Sequence, residues 1–266
     1  MKRLTLILLC WKVLSGQDST YFVTDTYFYP LQDAQELTVS LDVKLGQLKL
    51  NPNQASRAIA GSIYYNPGQT RTQVDYSTRG RTGQLSVELV SAALDSNEDL
   101  KVDIKMTGFK VESLNTPYYN ELDFALPRAV PSRYKLNFGM GDADLDFTGL
   151  AVRSLLLDCG MSDVDLVVGE PNTVPCDSVV LKSGLGDLRS EGLGYLQAKT
   201  VRLDVGLGSA TIDMRGHTRS STTIDADVGL GGLHLVLPTH SNIDVEVSTF
   251  LSSVDMSGLV QSGDNH

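Results

Sequence analysis

Long apolar runs are missing from this sequence. After residue 16 no stretch approaches the ~18 apolar residues that a membrane-spanning helix requires, so none is expected in the mature chain. Cations are scarce as well: 22 Lys+Arg stand against 32 Asp+Glu, a formal net charge of −10. A surface of that sign repels nucleic acid and anionic lipid, and neither is an expected partner. Low-complexity tracts are also absent, so the 266 residues are expected to build a globular core.

The residue sets that common chemistries need are missing too. No Gly-x-Ser-x-Gly nucleophile elbow occurs, and neither Cys159 nor Cys176 has a histidine nearby in sequence. His217, His234, His240 and His266 are scattered without zinc-ligand spacing, and His234 is expected at the surface. Gly-x-Gly pairs are present, but the third glycine and following helix of a dinucleotide fingerprint are not. No catalytic residue and no cofactor are therefore expected. Helical periodicity is weak, with one short turn near residues 92–99.

What is there begins with the first sixteen residues. Lys2 and Arg3 precede an apolar stretch over residues 4–11, and Val13-Leu14-Ser15 forms an acceptable cleavage site. Residues 1–16 thus read as a secretory signal peptide, and the protein as exported to the periplasm, the cell surface or the medium. Their removal takes away Lys2, Arg3 and Lys12 but no acid, leaving 19 cations against 32 acids, or −13. Cys10 follows Ile7-Leu8-Leu9 and is the lesser alternative, a lipid-attachment cysteine.

The C-terminal half carries an internal repeat. Gly139, Gly160, Gly184, Gly206 and Gly229 recur at spacings of 21, 24, 22 and 23 residues. Gly141, Gly186, Gly208 and Gly231 complete the Gly-x-Gly pairs, with Ser162 in the second unit. One residue before the first glycine stand Phe138, Cys159, Ser183, Val205 and Val228. Three before it stand Leu136, Leu157, Leu181, Leu203 and Ala226, and five before it Tyr134, Leu155, Val179, Val201 and Ile224. Polar columns alternate with these, which is the period-2 signature of a strand with one buried face. The alternation resumes four and six residues after the glycine, in columns led by Ala143 and Leu145. Each unit is therefore expected to be strand, glycine corner, strand and return loop, the glycines supplying a bend with φ > 0. No unit can bury its own apolar face, so units stack in parallel with strands ~4.8 Å apart. A sixth, degenerate unit holds Val245, Val247, Leu251, Val254 and Met256 in the same columns, with Phe250 replacing glycine as a cap.

That frame bears on the cysteines. Cys159 stands beside a corner, whereas Cys176 lies eight residues before the next one. Seven positions along a strand amount to ~23 Å, beyond the ~7 Å between Cα atoms that a disulfide tolerates. Two free thiols are expected.

Residues 17–130 differ in pattern. Leu37, Val39, Leu41, Val43 and Leu45 alternate cleanly, and residues 59–65, 85–90 and 100–106 are also strand-like. Pro127 and Pro131 mark the junction with the repeat region. The resulting division is signal peptide 1–16, N-terminal all-β domain 17–130, repeat domain 131–258 and polar tail 259–266. The fold class is all-β, the second part a short parallel β-solenoid of about five Gly-x-Gly coils plus a degenerate capping coil.

At this point the chain resembles the toast-rack family, exported bacterial proteins of uncharacterised function with a stacked β fold. The N-terminal part is similar to that family's leading domain through Leu41-Asp-Val-Lys-Leu-Gly-Gln-Leu-Lys-Leu50 and Ile63-Tyr-Tyr-Asn-Pro67. The repeat part is similar through Gly139-Met-Gly-Asp-Ala-Asp-Leu-Asp-Phe-Thr-Gly-Leu150, Gly184-Leu-Gly-Asp-Leu188 and Gly231-Gly-Leu-His-Leu-Val-Leu-Pro238. The resemblance implies kinship with adhesin-like surface proteins and with the soluble part of a cell-envelope stress regulator. It implies no catalytic residues.

Two surface features remain to be weighed. Asp142, Asp144, Asp163 and Asp165 would form a four-carboxylate patch across adjacent coils, a weak candidate for calcium. Arg189 beside Asp165, and Lys182 between Asp158 and Asp204, favour a solvated acidic face laced with ion pairs instead. Tyr21, Phe22, Tyr27, Phe28 and Tyr29, with Tyr118 and Tyr119, are either a binding platform or ordinary packing. The expected function is that of a non-enzymatic envelope or surface protein, an adhesin-like scaffold for an unidentified envelope protein or glycan. Alternatives are a ligand- or stress-sensing envelope domain with a membrane partner and, less favoured, a polysaccharide-active parallel β-helix enzyme.

Overall fold

The computed structural model describes residues 21–53, 57–91, 120–128, 130–216 and 221–239. The signal peptide with Cys10, the runs 92–99 and 100–106, Tyr118, Tyr119, His217, His240, the degenerate sixth unit and the polar tail with His266 lie outside them.

Among the described residues fourteen strands form one mixed sheet. The first six are β1 (Val23–Pro30), β2 (Glu36–Asn53), β3 (Ala58–Tyr65), β4 (Thr70–Arg79), β5 (Thr82–Ser91) and β6 (Glu121–Pro127). Next come β7 (Ser132–Asp146), β8 (Val152–Val167), β9 (Cys176–Leu185) and β10 (Asp187–Glu191). The last four are β11 (Ala198–Val205), β12 (Ser209–Asp213), β13 (Thr223–Val228) and β14 (Gly232–Val236). A single 3-10 turn, Leu193–Leu196, is the only helical element among the described residues.

The strands divide into two arms that meet at the glycine corner. In β7 the buried positions are Ser132, Tyr134, Leu136 and Phe138 before the corner, then Ala143 and Leu145 after it. Buried residues thus switch from even to odd numbers, because the chain turns there and presents its other parity to the core. The first arm runs β4-β5-β2-β7-β8-β9-β11-β13 and the second β1-β3-β6-β2-β7-β8-β10-β12-β14. From β2 to β14 every pairing is parallel.

The sequence columns are the ladders of this stack. Leu136, Leu157, Leu181, Leu203 and Ala226 lie side by side on successive strands, as do Tyr134, Leu155, Val179, Val201 and Ile224. Beyond the corner, Ala143, Val164, Leu188, Ala210 and Leu233 form another ladder. Leu136, Leu157 and Leu181 are essentially inaccessible to solvent. Burying a leucine of this kind contributes about 1.5–3 kcal/mol relative to exposure. The ladders begin one strand earlier than the glycine count suggests. β2 pairs with β7 from Leu37↔Ser132 to Leu50↔Leu145, through the expected junction at Pro127–Pro131.

At the other end the pattern turns antiparallel. β5 and β6 flank the two halves of β2 in parallel. β4 then returns antiparallel to β5, and β3 lies antiparallel between β6 and β1. Tyrosines fill the space between the arms here. Tyr27 stacks 6.4 Å from Phe124, Tyr29 lies 5.4 Å from Tyr76, and the Tyr29 hydroxyl donates to the Val74 carbonyl at 3.4 Å.

The corner glycines act mainly through space. None of the first-column glycines has a left-handed φ, contrary to the expectation from the bend. An added Cβ would instead come 2.5 Å from the stacked carbonyl oxygen at Gly160, 2.7 Å at Gly184 and 2.8 Å at Gly206 and Gly229. Only in the second column do Gly141 (φ 125) and Gly186 (φ 110) also need the conformation that other residues avoid.

One asparagine ties the return loops together. The Asn172 amide donates to the carbonyls of Val152 (2.7 Å), Val174 (2.8 Å) and Leu196 (3.3 Å), while its oxygen accepts from the Val152 N–H at 3.0 Å. That side chain thus joins the start of β8, its own loop and the end of the 3-10 turn, and satisfies a backbone carbonyl in each.

Candidate functional site

The outer faces of the two arms are built from the polar columns. On the second arm Asp142 lies beside Asp163 and Asp144 beside Asp165, as the repeat frame requires. Two of the four, Asp163 and Asp165, are engaged along the ladder. Asp163 accepts the Asp187 N–H at 2.9 Å, and Asp187 accepts from the Ser209 hydroxyl. Arg189 pairs with Asp187 at 2.5 Å and reaches Asp165 at 4.0 Å. Among the described residues no three His, Cys, Asp or Glu side chains gather as a metal-binding group. His234 continues the Asp144 column on β14 and is exposed.

The first arm carries a similar network. Lys182 sits between Asp158 and Asp204 in register and approaches Asp204 at 3.9 Å. Arg202 fans across Asp204 (3.0 Å), Asp225 (3.6 Å) and Asp227 (2.9 Å). Nearer the return loops, a hydrogen bond from Lys199 holds the Asp177 carboxyl below its ordinary range. Asp213 is lowered in the same sense by the hydrogen bonds from the Arg215 guanidinium. Such exposed pairs contribute little each to stability. Their effect is to hold a patterned surface in register.

The cysteines face inward and are both free. Cys159 pairs across the ladder with Ser183, seven residues along β9 from Cys176. Burial pushes both thiols up to about 12, so neither supplies a thiolate nucleophile at neutral pH.

Between the arms the corner has a relief that the residue columns alone do not convey. A shallow, open trough of about 710 Å³ runs along the stack, lined from Asp158 and Gly160 to Asp227 and Gly229. One wall is the charged column of Asp158, Lys182, Asp204 and Asp227 with Arg202. At the corner itself Leu45, Met140, Met161 and Leu185 stand in register, and Leu207 and Leu230 hold the same place in the next two units. Met161 is 37% exposed, Leu207 52% and Leu230 88%. The residue after the first glycine of every repeat unit, Met140, Met161, Leu185, Leu207 and Leu230, is Leu or Met, which the sequence shows. That signal is easily missed when attention falls on the glycines.

The aromatic group is split. Tyr27 and Tyr29 pack against the core, and burial, with Asp25 adding to it, raises the Tyr27 phenol to about 12. Tyr21 and Phe28 are exposed, and Phe22 stacks on Tyr64 at 5.0 Å.

Comparison with known proteins places this architecture. A family model described as the N-terminal domain of toast_rack, DUF2154, matches residues 17–190, running on through the Pro127–Pro131 junction. The fold is similar to that of a candidate cell adhesion protein from Clostridium sporogenes ATCC 15579, with a TM-score of 0.59 at 17% identity. That match covers 81% of this chain and 99% of the other. A candidate adhesin from Bacteroides fragilis NCTC 9343 aligns over 84% of this chain and 100% of its own, at 13% identity and a TM-score of 0.36. No curated protein matches the chain significantly. With the family model covering well over half of its residues, and the stacked sheet it implies in place, the chain belongs to the toast-rack N-terminal domain family.

Proposed function

We propose that this protein is an exported, non-catalytic, adhesin-like scaffold that binds another macromolecule at the cell envelope or surface. The observation that carries the reading is the outer face itself. Its acids pair with Arg and Lys along the ladders rather than converging on a reacting centre, as with Arg202 across Asp204, Asp225 and Asp227. A general acid–base pair would need two such groups poised around a substrate. The Clostridium protein of similar fold, by its description, supports the same direction. The signal-like residues 1–16 support export.

The architecture we propose is a short β-solenoid of about five Gly-x-Gly coils plus a degenerate capping coil. Parallel pairing from β2 to β14 supports it. Crosslinking in intact cells followed by mass spectrometry tests the functional reading. A recurrent envelope partner is the expected result. Turnover of a polysaccharide, with no partner recovered, would replace it with the enzyme alternative.

A further inference from the structure

The two arms end unevenly. Beyond β2 the first arm adds two strands, β5 and β4, whereas the second adds three, β6, β3 and β1. Among the described residues β1 therefore overhangs by one strand, and its inner face is incompletely covered. Tyr27 and Tyr29 are partly buried there, although Leu122 and Phe124 on β6 are essentially inaccessible to solvent. We propose that β1 is a dimerisation edge: two copies of this chain pair β1 against β1, antiparallel about a two-fold axis, and the two overhangs become one shared layer.

The state of the edge is the first support. β1 pairs with β3 over all eight residues without a bulge, and no described strand pairs with its other side. Its outward residues Thr24, Thr26 and Phe28 are exposed and uncharged, Phe28 to 66%. Asp25 points inward, where it accepts from the Tyr65 hydroxyl at 2.9 Å. Natural sheets blunt an open edge with outward charges, bulges or proline, and of these β1 has only Pro30, at its last position. β4, the other edge at this end, is protected by exposed Arg71, Asp75 and Arg79.

Charge selects a like copy. The chain carries a formal −10, so two copies repel wherever their acidic columns meet. On the outer face of β1 and β3 no side chain is ionised: Thr24, Thr26 and Phe28 lie beside Tyr64, Ser62 and Ala60. Acids resume one strand further in, at Glu121 and Asp123 on β6. A cationic partner finds no charge to pair with at this edge, whereas a second copy meets no repulsion.

Symmetry sets the register. β1, β3 and β6 are already antiparallel to one another in turn, and a strand that meets its own copy across a two-fold axis is antiparallel by construction. With both outer faces on one side of the joined sheet, the axis passes through a residue. At Asp25 it would oppose two carboxylates. At Tyr27 it would bring Pro30 into the ladder opposite Thr24. At Thr26 it does neither: Thr24 faces Phe28 of the second copy, Asp25 faces its Tyr27, and Pro30 lies past the paired run. Eight residues span about 27 Å, an edge smaller than the ~800 Å² per partner of a stable dimer. The association is therefore expected to be weak and reversible.

The test is sedimentation equilibrium of the full mature chain up to millimolar concentration, with Phe28→Asp on β1 and Ser77→Asp on β4 as its control. A reversible dimer is expected, weakened about tenfold by Phe28→Asp and unchanged by Ser77→Asp. A second measurement does not depend on how Phe28→Asp folds. Cys159 and Cys176 are buried and free, so one introduced thiol reports the axis. Thr26→Cys places two thiols on strands ~5 Å apart, within disulfide reach, and forms a covalent dimer on mild oxidation, whereas Ser77→Cys does not. A monomer throughout, a dimer indifferent to Phe28→Asp, growth into open-ended oligomers, no crosslink through Thr26→Cys, or an equal one through Ser77→Cys overturns the proposal. The envelope partner proposed above is a separate question, decided by crosslinking in cells.

Discussion

The carbonyl oxygen of Asn120 occupies the space that a Gly46 side chain would need. The same oxygen accepts the Gln47 N–H at 2.7 Å, and the Asn120 amide donates to the Leu45 carbonyl at 2.9 Å while its oxygen accepts from Thr70 at 3.0 Å. Asparagine therefore stands in for the corner glycine where the chain re-enters after residue 119. Gly46 also has φ 146, so alanine there meets both backbone strain and collision. Gly46→Ala is expected to cost on the order of 3 kcal/mol, read as a lowered urea midpoint with unchanged slope.

Close stacking, rather than bending, is the stated reason for the first glycine column, and a matched pair of variants separates the two. Gly206→Ala should destabilise by about 1–3 kcal/mol, because its Cβ would lie 2.8 Å from the Gly184 carbonyl oxygen. Gly232→Ala has nothing within 4 Å and no left-handed φ, and should change stability by no more than about 0.5 kcal/mol. Equal effects in thermal melts would rule out the close-approach explanation.

The thiols give a pH prediction with a definite sign. In the folded protein Cys159 and Cys176 keep their protons up to about 12, against an ordinary value of 9.0. Between those values the folded state binds more protons than the unfolded chain, so stability falls as pH rises through that window. Tyr27, raised from 10.0 to about 12, acts in the same direction. At pH 8 neither cysteine should react with a thiol reagent until denaturant is added, as peptide mass spectrometry of the labelled protein will show.

Asn172 is expected to matter more than its loop position suggests. Asn172→Ala strands the carbonyls of Val152, Val174 and Leu196 and should cost on the order of 3 kcal/mol in chemical denaturation. Asn172→Asp keeps the acceptor for the Val152 N–H but loses every donor, and should not rescue.

The Asp142–Asp165 face is expected to be a solvated, ion-paired surface. Two of its four carboxylates already serve partners, Asp163 the Asp187 N–H and Asp165 the Arg189 guanidinium. Millimolar calcium should leave the melting temperature unchanged. A rise of several degrees, lost in Asp142→Asn with Asp163→Asn, would reassign the patch.

The ladders were legible in the sequence residue by residue because a strand's period is short and strict. Tyr134, Leu155, Val179, Val201 and Ile224 could be aligned from a single glycine reference and prove adjacent. β2 was read as a strand but not as the first rung, since its single glycine, Gly46, does not form a Gly-x-Gly pair. The reason for the glycines could not be had from spacing alone, because contact between stacked backbones joins residues more than twenty positions apart. Asn172 was invisible for the same reason. The trough depends on relief at a corner, and a one-dimensional pattern assigns the middle residue of Gly-x-Gly to neither face.

The parallel pairing has a mechanical consequence. Backbone hydrogen bonds between strands point along the stack, so tension applied along that axis is carried by every interface in series, and the weakest opens first. Tension along the strands would instead load the hydrogen bonds of an interface together, in shear. Under axial pulling the limit on the second arm is set by the shortest pairings, such as Asp187–Ser190 against Ser209–Ile212, and not by the long run of β7 on β8. A protein of this build opens at its shortest rungs and holds firm against a sideways load.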